Sequence, residues 1–191
     1  MSALPRNPSD FGYAGLRMTA DEFLALGHTP EHYELIDGVV TMTPSPRPVH
    51  GELIACVVQQ AGSQLGQAAR IFTEIDLRLT DAKVYRPDIS IYKRDRLPPR
   101  VDALTLPPDL IVEVLSAGTM AFDLTTKRDD YETFGVNEYW AIDPNTARLR
   151  CWQRNRNQLL EVPVTGNRSP SSALPGLVLD LAPIRAIANP Q

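Results

Sequence analysis

Cysteine is scarce in this 191-residue chain: there are two, Cys56 and Cys151, far apart. They offer neither the close spacing of a metal knuckle nor the density of a disulfide framework, so a reducing, cytoplasmic setting is expected. No apolar run approaches the ~20 residues of a membrane span, so no membrane partner is expected. The first residues lack a basic segment followed by an apolar one, so no secretion signal is read. An excess of positive charge is also missing: 19 Lys and Arg stand against 23 Asp and Glu, a net charge of −4. That argues against a constitutive nucleic-acid coat and leaves room only for a local basic groove. No internal repeat is visible. What remains is an ordinary soluble composition, 43% apolar and 22% charged, enough for one sizeable core. Residues 1–17, rich in Gly, Pro and Ser, read as a loose arm, and residues 18–191 as a single domain.

Patterning along the chain predicts an alternation of helices and strands. "MTADEFLAL" opens a short helix with Thr19 and Glu22 at capping-box spacing. "YELIDGVVTMTP" reads as a hairpin around Asp37-Gly38, a type I′ turn signal. Small and apolar residues recur at helical spacing from Val49 to Ala69. "IFTEIDLRL", "VYRPDISIY" and "DLIVEVL" read as three strands, the last apolar on both faces and so central in a sheet. "FDLTTKRDDYETFG" is a helix closed by Gly135. "EYWAID", "RLRCWQR" and "QLLEVPV" are further strands, and the tail reads as irregular with one more short strand. An α/β sheet flanked by helices follows, with parallel strands on either side of the 115–137 crossover.

Two strand carboxylates stand out. Asp88 follows Pro87 at the start of "RPDISIY", and Glu113 interrupts "DLIVEVLS". A buried carboxylate is costly without a partner, and two on consecutive strands can share a cation. Two carboxylates plus water is how Mg²⁺ is usually held. Glu34 joins them if the early hairpin packs near; otherwise it is a surface carboxylate, and Asp76 is the fallback. Leu124, Lys127, Tyr131 and Phe134 fall on one stripe of their helix. A lysine in an apolar stripe either snorkels to water or meets buried anions. Tyr131 is either a core residue or a donor at the site edge. Tyr139 and Trp140 read as core or interface aromatics.

"YELIDGVV", "SPRPVH", "RPDISI", "IVEVLSAGT" and "KRDDYETFGVNEYWAIDP", in this order and spacing, resemble the Uma2 family within the PD-(D/E)xK nuclease superfamily. The resemblance runs from about residue 19 to about residue 155. It implies a restriction-endonuclease-like fold, with a central mixed β-sheet flanked by helices. It also implies that Asp88 and Glu113 bind Mg²⁺, with Mn²⁺ as a substitute. Two residues after Glu113 the superfamily's plain pattern has a lysine, where this chain has Leu115. The Uma2 pattern instead places the lysine in the next helix, and Lys127 matches it.

The resulting expectation is a Mg²⁺-dependent endonuclease acting on DNA rather than RNA. Asp88, Glu113, Lys127 and Glu34 form its catalytic set, and a homodimer would let two sites cut two strands. His50 either contacts substrate phosphate, tunes a metal ligand, or is a helix-terminal polar residue. Lys93, Arg94 and Arg96 are either a solvated loop or phosphate contacts, as Tyr131 is a further substrate-side candidate. Arg148, Arg150, Arg154 and Arg156 form a second basic cluster. The alternatives are a non-catalytic nucleic-acid or protein binding module on the same fold, and an enzyme acting on another phosphate ester.

Overall fold

Local chemistry sets the first elements. The computed structural model describes residues 12–27, 29, 31–98, 100 and 103–189; residues 1–11 of the expected arm lie outside these. Helix α1 (Ala20–Ala25) carries the Thr19–Glu22 capping box. Strands β1 (Tyr33–Ile36) and β2 (Val39–Met42) form the hairpin. Its turn has positive φ at both Asp37 (49°) and Gly38 (75°), as a type I′ turn requires. Gly15 and Leu16 continue this sheet, bonding through backbone to Val40. Helix α2 (Pro48–Leu65) begins on a proline, whose missing N–H costs nothing there, and ends at Gly66, short of Ala69.

Two of the expected strands are each broken, and both breaks fall beside the carboxylates. "IFTEIDLRL" divides into β3 (Ala69–Thr73) and β4 (Leu77–Thr80). "VYRPDISIY" divides into β5 (Lys83–Tyr85) and β6 (Ile89–Lys93). Pro87 cannot donate to a ladder. Opposite it, Glu74 turns the chain with φ of 52°, and its N–H bonds the carbonyls of Pro87 and Asp88. The outer halves, β4 and β5, leave the main sheet and join the hairpin in a four-stranded sheet of order β2-β1-β5-β4.

The inner halves stay in the main sheet. It gains β7 (Leu110–Val114), β8 (Glu138–Asp143), β9 (Arg148–Asn155) and β10 (Gln158–Val162), in the order β10-β9-β8-β7-β6-β3. β7 and β8 run parallel, as the intervening helix predicted, and the other neighbours are antiparallel. The crossover helix is not uniform. α3 (Met120–Phe122) passes through a π turn (Asp123–Lys127) into α4 (Arg128–Phe134), which Gly135 closes with φ of 102°. The tail is more ordered than expected: β11 (Arg168–Pro170) pairs with β12 (Val178–Asp180), and α5 (Leu181–Ala188) packs with α2.

The main sheet therefore has two dressed faces. Leu110, Val112 and Val114 of β7 point to the α2–α5 side, with Leu53, Val57, Leu179 and Ile184. Ile111 and Leu115 point to the opposite side, where Tyr131, Tyr139, Trp152 and the small-sheet residues Leu77 and Tyr85 pack. Glu113 shares that second face by strand alternation.

One buried carboxylate pins the tail. Glu138 is fully buried and accepts from Trp140 Nε1 (2.9 Å), the Ala173 backbone N–H (3.1 Å) and the Ser171 hydroxyl. Glu138→Ala should leave these donors without a partner. The cost should be about 3 kcal/mol or more, since each orphaned buried group costs about 1–3. Urea unfolding measures it. A loss under ~1 kcal/mol would mean that apolar contacts alone hold the tail.

Candidate active site

The carboxylates meet where the β6–β7 ladder ends. Ile89 pairs with Val112, so Asp88 and Glu113 face each other one step further along. Side chains replace the backbone rung there. The Asp88 N–H donates to Glu113 Oε2 at 3.1 Å, and the Val114 N–H donates to Asp88 Oδ2 at 2.6 Å. Each acid is thus fixed by the other's strand.

Partners arrive from both layers. His50, in the first turn of α2, lies with Nε2 3.1 Å from Asp88 Oδ1. A carboxylate oxygen can only accept, so Nε2 carries the proton. That bond raises the imidazole's pKa, against burial, with the Asp88 charge adding to it. From the other layer, Tyr131 donates its hydroxyl to Glu113 Oε1 at 2.8 Å. Lys127 Nζ lies 2.9 Å from Glu34 Oε1, 3.5 Å from Glu113 Oε1 and 3.7 Å from Asp123 Oδ1. The lysine does not snorkel; only 6% of it is exposed. Burial works against its charge, but the three carboxylates outweigh that and raise its pKa.

Glu34 is a member of the cluster, not a surface carboxylate. On β1, Tyr33 and Leu35 face a small core under α1, so Glu34 points the other way, toward Lys127. The Arg86 N–H, just beyond β5, donates to the same Oε1 at 2.8 Å. Asp76, the fallback, is instead paired with Arg86 Nε at 2.8 Å.

Asp123 was missed by the sequence reading, and the helix stripe changes accordingly. Asp123, Lys127 and Tyr131 are buried, while Leu124 and Phe134 are only partly so. A plain α-helix turns ~100° per residue, so eight residues would separate Asp123 from Tyr131 by about 80°. The π turn absorbs that drift and lets all three face the sheet. Its carbonyls need partners, and the buried Tyr139 hydroxyl donates to Asp123 C=O at 3.1 Å. The i, i+4 spacing of Asp123 and Lys127 was the available signal.

The basic loop sits elsewhere. Lys93 ends β6, five residues and so about 17 Å by strand rise from Asp88, and Arg94 and Arg96 follow it in a short 3-10 turn. Arg96 Nη1 approaches the buried Asp109 Oδ2 to 3.0 Å, though without hydrogen-bond alignment. Lys93 and Arg94 are exposed. In the second basic cluster, Arg150 forks onto Glu161 and lies over Trp152, and Arg154 donates to Glu132 and Val136 carbonyls.

The donors suit a hard divalent cation. Asp88 and Glu113 offer oxygen only, and Asp88 is 15% exposed where the β6–β7 ladder ends. Ser90, two residues along on the same face, has a buried hydroxyl without a hydrogen-bond partner among the described residues. Among the described residues no group of three or more His, Cys, Asp and Glu is arranged to hold a metal. Asp88 and Glu113 could supply two carboxylates to a Mg²⁺ whose other positions are filled by water and phosphate oxygens. No helix among the described residues is long and apolar enough to cross a membrane.

Comparison with known proteins agrees with this architecture. The model of the Uma2 family, described as a putative restriction endonuclease, matches residues 20–182. The crystal structure of a putative nuclease belonging to DUF820, from Anabaena variabilis ATCC 29413, shares the fold with a TM-score of 0.75 at 23% identity. The match covers 90% of this chain and 99% of that one. No curated protein matches the sequence.

The cluster makes metal-free stability depend on pH. Burial pushes the Glu113 carboxyl up to about 8, with Lys127 pulling the other way. Burial likewise raises Asp123. A raised folded-state value means that the folded protein holds the proton longer than the unfolded chain. That stability is full below the ordinary carboxylate range and is lost as pH rises through about 8. Without divalent cations, Tm should therefore fall between about pH 5 and about pH 8. Glu113→Gln should flatten the slope. An unchanged slope in that variant would assign the proton to another group.

Proposed function

The chain belongs to the Uma2 family, and from that premise and the site's geometry we propose that it is a divalent-cation-dependent nuclease. It hydrolyses phosphodiester bonds, in DNA rather than RNA, since the family's description names a restriction endonuclease. One observation carries the reading. Two carboxylates from adjacent strands are locked face to face where the β6–β7 ladder ends, one of them 15% exposed, with a buried ammonium 3.5 Å behind the other.

Each side chain then has a task. Asp88 and Glu113 are the cation ligands. Bound there, Mg²⁺ would polarise a phosphoryl oxygen and lower the pKa of a coordinated water. Lys127 presents a fixed positive charge beside Glu113, where it steadies the attacking oxygen or the charge that develops on phosphate. Glu34 acts through Lys127 and is a positioning residue. His50 orients Asp88, and Tyr131 orients Glu113, each by one hydrogen bond. Lys93 and Arg94 lie too far for the scissile phosphate. At 3.4 Å per base pair, about 17 Å is some five base pairs along a duplex, so they would meet flanking phosphates.

The first test is cation binding. Mn²⁺ or Mg²⁺ at millimolar level should raise Tm, because a ligand of the folded state alone stabilises it. Asp88→Asn should abolish the rise; an equal rise in the variant would place the cation elsewhere. The second test separates catalysis from structure. If Lys127 only neutralises buried carboxylates, Lys127→Met should cost about 3–5 kcal/mol whether or not metal is present. As a catalytic group, it should lose plasmid cleavage at temperatures where the variant is still folded, beyond anything its lower Tm explains. A Lys127→Met protein that cuts like the wild type sinks the assignment.

The third test concerns flanking contacts. Neutralising Lys93 and Arg94 should lower the salt slope of DNA binding by roughly one to two phosphate contacts and leave kcat unchanged. An unchanged slope would remove the loop from the interface.

A further inference from the structure

Lys127 has two anchors that are not on the strands bearing the proposed cation ligands. One is Glu34, fixed by the Arg86 N–H. The other is Asp123, one turn earlier on its own helix. We propose that Asp123 is a positioning residue that keeps the Lys127 ammonium in place once a cation occupies Asp88 and Glu113. This rests on the nuclease reading above.

Electrostatics makes such an anchor necessary. In the metal-free protein Glu113 Oε1 lies 3.5 Å from the Lys127 ammonium. A divalent cation on the same carboxylate would repel the ammonium directly. The lysine stem is flexible, with a compact charge that follows the local field. Only anchors independent of Asp88 and Glu113 can then hold it beside the reacting phosphate.

Asp123 is built for this. Only 5% of it is exposed, and Oδ1 faces Lys127 Nζ at 3.7 Å. Its other oxygen, Oδ2, accepts the Thr119 hydroxyl at 2.7 Å. Thr119 Oγ1 is in turn 2.8 Å from Ser116 Oγ, just beyond the end of β7. The carboxylate is therefore aimed from the loop that leaves the Glu113 strand, without using Glu113 itself. The π turn adds a geometric reason. It is an uncommon and less favourable turn, and it brings Asp123 onto the line of Lys127 and Tyr131. A merely structural acid could have sat on the solvent side of a regular helix.

The test uses Asp123→Asn and Thr119→Val in the full chain, with and without Mn²⁺. Asparagine keeps the shape and can still accept from Thr119, but it gives up the charge. The Mn²⁺-induced rise in Tm should match the wild type, and KM for plasmid DNA should not change. The kcat should fall about 10–100-fold, the usual loss when a partner outside the ligand set is removed. Thr119→Val should fall in the same direction by less, and the double variant should be no worse than Asp123→Asn alone. A second readout needs no cleavage. An amine-directed acylating reagent, followed by peptide mass spectrometry, should modify Lys127 faster in Mn²⁺-loaded Asp123→Asn than in Mn²⁺-loaded wild type. If the wild type does not cut DNA, the nuclease reading fails, and the acylation rates still decide on Asp123. Equal acylation rates overturn the proposal. So does an unchanged kcat in a cutting enzyme, or a fall in kcat only in step with lost Tm.

Discussion

One ammonium in a nearly dry place sets the terms for everything around it. Lys127 is surrounded by Glu34, Glu113 and Asp123, all buried. Burying any one of these charges alone costs several kcal/mol. Together they are tolerable only if the geometry is good and the remaining lone pairs are used. They are used: Arg86 and Asp88 backbone N–H groups, the Tyr131 hydroxyl and the Thr119 hydroxyl each take one oxygen. The small sheet must pack against the crossover helix because Glu34 belongs to it. The helix must widen because Asp123 and Tyr131 have to face the same way. Lys83, from the same small sheet, adds a second tie by pairing with Asp130 of α4.

The breaks in the strands serve the same site. A continuous strand through Pro87 would run Asp88 into a regular ladder, with its neighbours committed to backbone bonding. Proline denies the ladder one donor, and Glu74 turns the opposing strand away. Both outer halves then leave for the second sheet. What they vacate is the sheet end at which Asp88 stands 15% exposed, between a helix on each face. His50 enters from one side and Lys127 from the other. The partial exposure of Asp88 thus follows from strand swapping between sheets.

Much of this was legible in the residues. The apolar run of "DLIVEVL" located the central strand, and its lone Glu113 pointed to the buried charged cluster. The Asp37-Gly38 turn, the Thr19–Glu22 box and the Gly135 cap are local chemistry and appear where the residues put them. The strand breaks were hidden because "IFTEIDLRL" and "VYRPDISIY" alternate smoothly through them; which sheet each half joins is decided by tertiary packing. The i, i+4 spacing of Asp123 to Lys127 was legible, but the π turn that brings Asp123 into line with Tyr131 was not, because it departs from ~100° per residue. Helix α5 escaped because its short helical repeat, Leu181, Ile184 and Ile187, is set in a Pro-rich and Ala-rich tail; Leu181 and Ile184 are buried against α2. The position of the basic loop was the least legible point. Sequence adjacency put Lys93 and Arg94 near Asp88, but a strand carries its two ends apart.

The acid excess at the site also bears on how an anionic substrate could approach. Glu34, Asp88, Glu113 and Asp123 face one lysine and one imidazole, within a chain whose net charge is already −4. A phosphodiester brought to that cluster meets repulsion, because like charges in a poorly screened site interact strongly. Under the proposed reading a divalent cation reverses the sign of the local field at the point where phosphate must sit. Substrate affinity at the site would then depend on the cation even before any chemistry. On that reading, exposed Lys93, about 17 Å away by strand rise, and Arg94 just beyond it would attract a duplex without it. Under the same reading, attraction and reaction would fall at opposite ends of one strand. This separation is what an acidic protein needs if it is to handle nucleic acid without being coated by it.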